Sequence, residues 1–176
     1  MAATTSSACP SSSTDPLVSR LPDLGPRGEG WVILQFLLLG LIALAGIRFG
    51  GVVNGMPAPA IAGVGFALMV GGAALAARGL IDLGRNLTPM PHPREGSRLV
   101  ISGVYARARH PIYGGLILTA FGWGLASVSL VTLVLAAVLA LFFGLKSRRE
   151  EAWLLEHYAD YAAYMERTRR FWPYLG

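Results

Sequence analysis

Apolar residues gather into three blocks without a charge, 31–47, 49–77 and 111–145, which are 17, 29 and 35 residues long. A bilayer crossing takes about 20 apolar residues, so the pattern predicts an integral membrane protein. The first crossing is expected over 31–47, with Trp31 at one interface and Arg48 snorkelling at the other. A loop over 49–59, broken by Gly50, Gly51, Gly55, Pro57 and Pro59, leads to a second crossing over 60–80. There Gly63, Ala67 and Gly71 recur every fourth residue, a small-residue face of the kind on which helices approach closely. Packing against another helix is the first reading of this stripe, and a homodimer contact is a second. As one helix the third block would be about 52 Å long at 1.5 Å per residue, against a hydrocarbon core about 30 Å thick. It is therefore expected to fold back at 126–129 as a hairpin, crossing twice or re-entering. Beyond Leu145 the pattern turns amphipathic: over 146–168, Leu154, Tyr158, Tyr161 and Met165 line one helix face, until Pro173 ends regular structure. The expected fold is all-α and polytopic, with about four transmembrane helices, a helical hairpin and a C-terminal amphipathic cytoplasmic helix.

Composition agrees: 53% of residues are hydrophobic, 14% are charged and the mean hydropathy is +0.51. Soluble domains carry about a quarter charged residues, which argues against a water-soluble globule. Cys9 stands alone, so neither an internal disulfide nor a thiolate cluster is available. The formal charge of +5 does not call for nucleic acid, because basic residues in a membrane protein record topology. Six arginines fall between Arg78 and Arg109 against Asp82 and Glu95, whereas 49–59 and 126–129 are uncharged. The basic segment and both termini are therefore expected on the cytoplasmic side. Residues 1–30, rich in Ser, Thr, Pro and Gly, read as a flexible tail. The first basic residue is Arg20, so the apolar run at Trp31 reads as a retained span rather than a secretory signal. Three parts result: a tail over 1–30, two transmembrane helices over 31–80, and a core over 81–176.

Chemistry concentrates in that last part. Arg109-His110-Pro111 stands where the basic loop meets the third apolar block, and proline suits the first turn of a helix. The helix start would favour an anion, and Gly114 and Gly115 would let a ligand reach the backbone. The plainer reading is that Arg109 anchors the span to headgroups and His110 caps it. Projected at about 100° per residue, Glu150 falls on the apolar face with Leu154, Tyr158, Tyr161 and Met165, while Glu151 lies at its flank. A carboxylate aimed at a packed face needs a partner, either a ligand or an ordinary salt bridge to Arg107 or Arg109. His92 and His157 have no acid or cysteine at metal-ligand spacing, and there is no hydrolytic triad signature or Walker loop.

Taken together, Leu99-Val100, Gly103-Val-Tyr105, Arg109-His-Pro-Ile-Tyr113, the hairpin, Glu150-Glu151 and the Tyr-rich tail resemble the isoprenylcysteine carboxyl methyltransferase family and its phospholipid methyltransferase relatives. The similarity runs from about Asn86 to Pro173. It implies a membrane enzyme that takes a methyl group from S-adenosylmethionine on the cytoplasmic side. It also implies a cofactor pocket formed by Ser97, Arg98, Leu99, Val100, Tyr105, His110, Pro111, Ile112, Tyr113 and Glu150. Lys146 stands where the family often has an arginine, and the resemblance gives it the role of positioning the acceptor, a lipophilic or small membrane-permeable molecule. The expected partners are that acceptor and membrane lipid, with no nucleic acid and no metal. Two other classes share such an architecture: a non-catalytic scaffold or small transporter, and a nicotinamide-dependent membrane reductase. The three charge-free blocks supply no intramembrane charge for an ion conduit.

Overall fold

A computed structural model of the chain describes residues 24–25, 28–51, 58–84 and 99–173. Five α-helices make up the described residues: α1 (Glu29–Arg48), α2 (Ala58–Leu83), α3 (Pro111–Ala126), α4 (Leu130–His157) and α5 (Tyr161–Arg167). Three of them, α1, α2 and α4, are long and apolar enough to cross a membrane. The protein is an α-helical membrane protein. Its outward surface carries Ile33, Phe36 and Leu37 on α1, Val64 and Phe66 on α2, and Val134 and Leu141 on α4, all exposed. Hydrocarbon, not water, suits such a coat.

Of the four expected crossings, α3 differs. It has 16 residues, which at 1.5 Å each give about 24 Å, shorter than the hydrocarbon core. Its backbone instead lies against α2 through glycines seven residues apart. A Cβ built on Gly72 would stand 2.6 Å from the Gly115 oxygen, and one on Gly122 would stand 2.6 Å from the Gly65 oxygen. Gly79 meets Pro111 and Ile112 in the same way, so α2 and α3 run antiparallel. The expected Gly63, Ala67 and Gly71 face is not the one used, since Gly63 and Gly71 have no neighbour within 4 Å. A seven-residue spacing returns small residues to one side of two slightly coiled helices, and it singles out Gly65, Gly72 and Gly79 rather than the more obvious stripe.

The hairpin turns at Ser127-Val128-Ser129, inside the expected 126–129, with Val128 at φ 48°. Ser129 caps α4 by accepting from the Thr132 N–H at 3.3 Å. Leu38, Ile42, Ile117, Leu139, Phe142 and Phe143 form the core between α1, α3 and α4.

The amphipathic segment is not the separate helix expected over 146–168. Lys146 continues α4 without a break, and the helix ends when Tyr158 takes extended angles (φ −121°, ψ 116°). The chain then turns into α5 and returns as a strap over 168–173. Arg169 N–H donates to Arg107 O (2.9 Å), Arg109 N–H to Arg169 O (2.8 Å) and His110 N–H to Arg170 O (2.7 Å). On the other side, a short 3-10 turn (Gly103–Ala106) hangs from the end of α2, where the Val104 N–H donates to Asp82 Oδ2 at 2.8 Å. Gly103 has φ 62°, and a Cβ there would collide with the Asp82 carboxylate, so only glycine fits.

Candidate functional site

The site assembles where the start of α3 faces the charged half of α4. Pro111 occupies the first turn of α3, as its fixed φ favours, and places His110 at the cap position. Three residues on, Tyr113 lies on the same side, so the His110 and Tyr113 rings stack 2° from parallel at 5.5 Å. Phe143 of α4 stacks on Tyr113 at 4.4 Å. The Tyr113 hydroxyl donates to Glu150 Oε1 at 2.5 Å. His110 spans both glutamates, with Nδ1 3.5 Å from Glu150 and Nε2 3.2 Å from Glu151. His110, Phe143, Glu150 and Glu151 are buried, and Tyr113 is half-buried between them.

The second glutamate is engaged quite differently. Arg109 Nε donates to Glu151 Oε1 at 2.9 Å, and an Arg170 guanidinium nitrogen lies 2.8 Å from Oε2. Arg109 also donates to Met165 O (2.9 Å) and Thr168 O (2.5 Å). Sequence projection put Glu151 at the flank, yet its side chain is only 4% exposed, because α5 and the strap fold over it. Arg109 pairs with Glu151, so the salt-bridge alternative for Glu150 passes to its neighbour. Arg109 is committed inside the protein rather than to headgroups.

Lys146 sits one turn before Glu150, 2% exposed, with Nζ 5.0 Å from the Tyr113 ring centroid. It donates to Gln35 Oε1 on α1 at 2.6 Å. Gln35 was not among the expected site residues, although it is the one polar side chain in the 31–47 block and so left a signal. Arg170 left none.

Tyr105 is buried beside this cluster, and its carbonyl accepts from the Tyr164 hydroxyl at 2.7 Å. Burial pushes the Tyr105 hydroxyl pKa well above its ordinary value, making it a weaker acid, and the nearby Tyr164, Asp82 and Glu150 push it in the same direction. Ile112 packs toward Gly79 of α2. Leu99 and Val100 are half-buried in the segment before the 3-10 turn and are not part of the ring and carboxylate cluster. Ser97 and Arg98 lie outside the described residues. The open glycines expected at the start of α3 are not open. Phe171 O and the Trp172 indole cover Gly114, and α2 covers Gly115.

The phospholipid methyltransferase family signature matches residues 61–161, more than half of the chain. The chain belongs to this family. Methyl transfer is the family's activity, and the match takes in most of α2, all of α3 and α4, and His110, Tyr113, Lys146 and Glu150. Among curated relatives, the cobalt-zinc-cadmium resistance protein CzcN of Cupriavidus metallidurans is 39% identical over 84 residues, 47% of this chain. The match spans 39% of that relative's own length, so the chain covers well under half of it. Among the described residues no group of three or more His, Cys, Asp or Glu is arranged to hold a metal ion.

Proposed function

We propose that the protein transfers a methyl group from S-adenosylmethionine to a lipophilic or small membrane-permeable acceptor, at the end of the bundle where α3 begins and α4 becomes charged. The observation that carries this reading is the His110–Tyr113–Glu150 cluster, which two separate helices bring together in a buried, water-poor setting. The donor set fits the cofactor. S-adenosylmethionine presents a sulfonium, an ammonium, a carboxylate and a purine, and the cluster offers the Glu150 carboxylate for cations and the stacked rings for π and cation contact, with the Lys146 ammonium left to position the acceptor. When bound, the cofactor supplies an activated methyl group whose transfer removes positive charge from sulfur.

Glu150 holds positive charge near the rings, while the Tyr113 hydroxyl fixes one carboxylate oxygen and His110 faces the other. Phe143 and Tyr113 exclude water from the space between α3 and α4. Alignment and exclusion of water are the main requirements of such a displacement. An O-methyl acceptor ionised as a carboxylate brings its own lone pair. An amine acceptor must first lose a proton, for which the His110–Glu150 pair is placed. The arginine-rich end of the bundle, with both termini, is assigned to the cytoplasmic side by the excess of positive charge there, which puts the site on that side.

The test is calorimetric titration of S-adenosylmethionine into protein in maltoside micelles. The wild type binds, whereas Glu150→Gln and Tyr113→Phe lose binding while keeping their helical circular dichroism. Incubation with methyl-labelled cofactor and a cellular lipid extract then identifies the acceptor. Retained affinity in both variants, or binding of reduced nicotinamide in place of S-adenosylmethionine, overturns the reading.

A further inference from the structure

Fifteen basic residues stand in this chain, and Lys146 is the one lysine among them. It lies inside the bundle, 2% exposed, beneath the Tyr113 ring and bonded to Gln35. A buried ammonium must be compensated. A lysine has three N–H donors and no acceptor, so Gln35 can only present its carbonyl oxygen to it. That contact uses one of the three ammonium protons and leaves the two amide N–H donors of Gln35 on the other branch of the same side chain. The pair is therefore rich in donors and poor in acceptors.

Its position is as informative as its chemistry. Gln35 belongs to α1, outside the matched family segment 61–161. Six residues separate it from Glu29, about 9 Å along the helix axis. Its neighbours Ile33, Leu34, Phe36 and Leu37 are exposed on the lipid-facing side. The pair thus lies at the contact between α1 and α4, beside the lipid-facing side of α1.

We propose that Gln35 is a specificity-determining residue. It positions the Lys146 ammonium, and together they select a hydrogen-bond-accepting, oxygen-bearing head group over a cationic one on an amphipathic molecule arriving between α1 and α4. Calling that molecule the methyl acceptor rests on the proposed function, but the selection itself does not.

The test is equilibrium dialysis of labelled laurate and of dodecylammonium against the full chain in maltoside micelles, with protein-free micelles as the blank. Wild-type protein binds laurate saturably and prefers it to dodecylammonium. Gln35→Leu weakens laurate binding about tenfold, the worth of one hydrogen bond to a charged group. Gln35→Asn, which keeps the amide on a shorter stem, falls between the two. Gln35→Glu neutralises the ammonium and reverses the preference toward dodecylammonium, a reversal that mere loss of packing would not produce. S-adenosylmethionine affinity, measured on the same preparations, stays within about twofold throughout. Unchanged laurate affinity in the Leu and Glu variants, or a wild type that favours dodecylammonium or binds neither, overturns the proposal. A wild type that selects laurate but does not bind S-adenosylmethionine overturns the methyltransferase reading and leaves this one standing.

Discussion

Replacing Glu151 with glutamine removes one charge from the point where α4, the start of α3 and the strap meet. In the native protein its two oxygens take Arg109 Nε at 2.9 Å, an Arg170 nitrogen at 2.8 Å and His110 Nε2 at 3.2 Å. The glutamine amide keeps one acceptor but turns an N–H donor toward a guanidinium. Breaking a buried ion pair from one side costs roughly 3–5 kcal/mol. The lower end applies, because Arg109 keeps the Met165 and Thr168 carbonyls and the Arg170 side chain is 32% exposed. A loss of about 3 kcal/mol corresponds to a fall in Tm of roughly 6–12 °C for a chain of this size. Thermal unfolding in maltoside micelles, followed by tryptophan fluorescence, reads this directly. Limited tryptic digestion adds the location, because the strap is released and cleavage after Arg167 and Arg169 accelerates. A Tm within about 2 °C of wild type together with an uncut strap would refute the assignment of Glu151 as the staple. The adjacent Glu150→Gln should do the reverse, abolishing cofactor binding with a much smaller effect on stability, so two neighbouring carboxylates separate by assay.

Gly72→Val should destabilise by about 3 kcal/mol or more, since its Cβ would stand 2.6 Å from a backbone oxygen of α3, whereas Gly63→Val, facing open space, should shift stability by less than about 0.5 kcal/mol. Both are read by thermal unfolding in micelles. Burial pushes the Tyr164 hydroxyl from 10.0 up to about 12, so the folded state keeps its proton longer than the unfolded chain. Its contribution is complete below pH 10 and is lost as pH rises from 10 to about 12. Tyr164→Phe should therefore lose about 1 kcal/mol at neutral pH through the missing bond to the Tyr105 carbonyl, and show a shallower alkaline fall in Tm. Identical alkaline profiles would count against this account.

Much of the architecture is local in origin and legible in the chain. Charge-free runs of this length define helices, because only a helix satisfies all its backbone groups within one segment in hydrocarbon. Ser127 to Ser129 interrupt the longest run near its middle. His110-Pro111 marks the start of α3, since proline begins a helix and keeps its predecessor out of it, His110 standing at φ −126° and ψ 58°. Tyr113 three residues later and Glu150 on an apolar face follow from helical period alone, and the structure joins them by a hydrogen bond.

What local pattern does not carry is which element covers which face. Helical period placed Glu150 inward, but the burial of Glu151 came from α5 and a strap that period alone left as a straight continuation of the helix. The break at Tyr158 has no proline or glycine to announce it; pairing of 107–110 with 169–170 imposes the turn from a distance. Either glycine stripe of α2 would serve a close approach, and only the glycines of α3, some 50 residues away, decide for Gly65, Gly72 and Gly79. Gln35 and Lys146 stand 111 positions apart. Their contact exists because the bundle sets the start of α1 beside the end of the apolar part of α4, a relation of packing that no window of sequence contains.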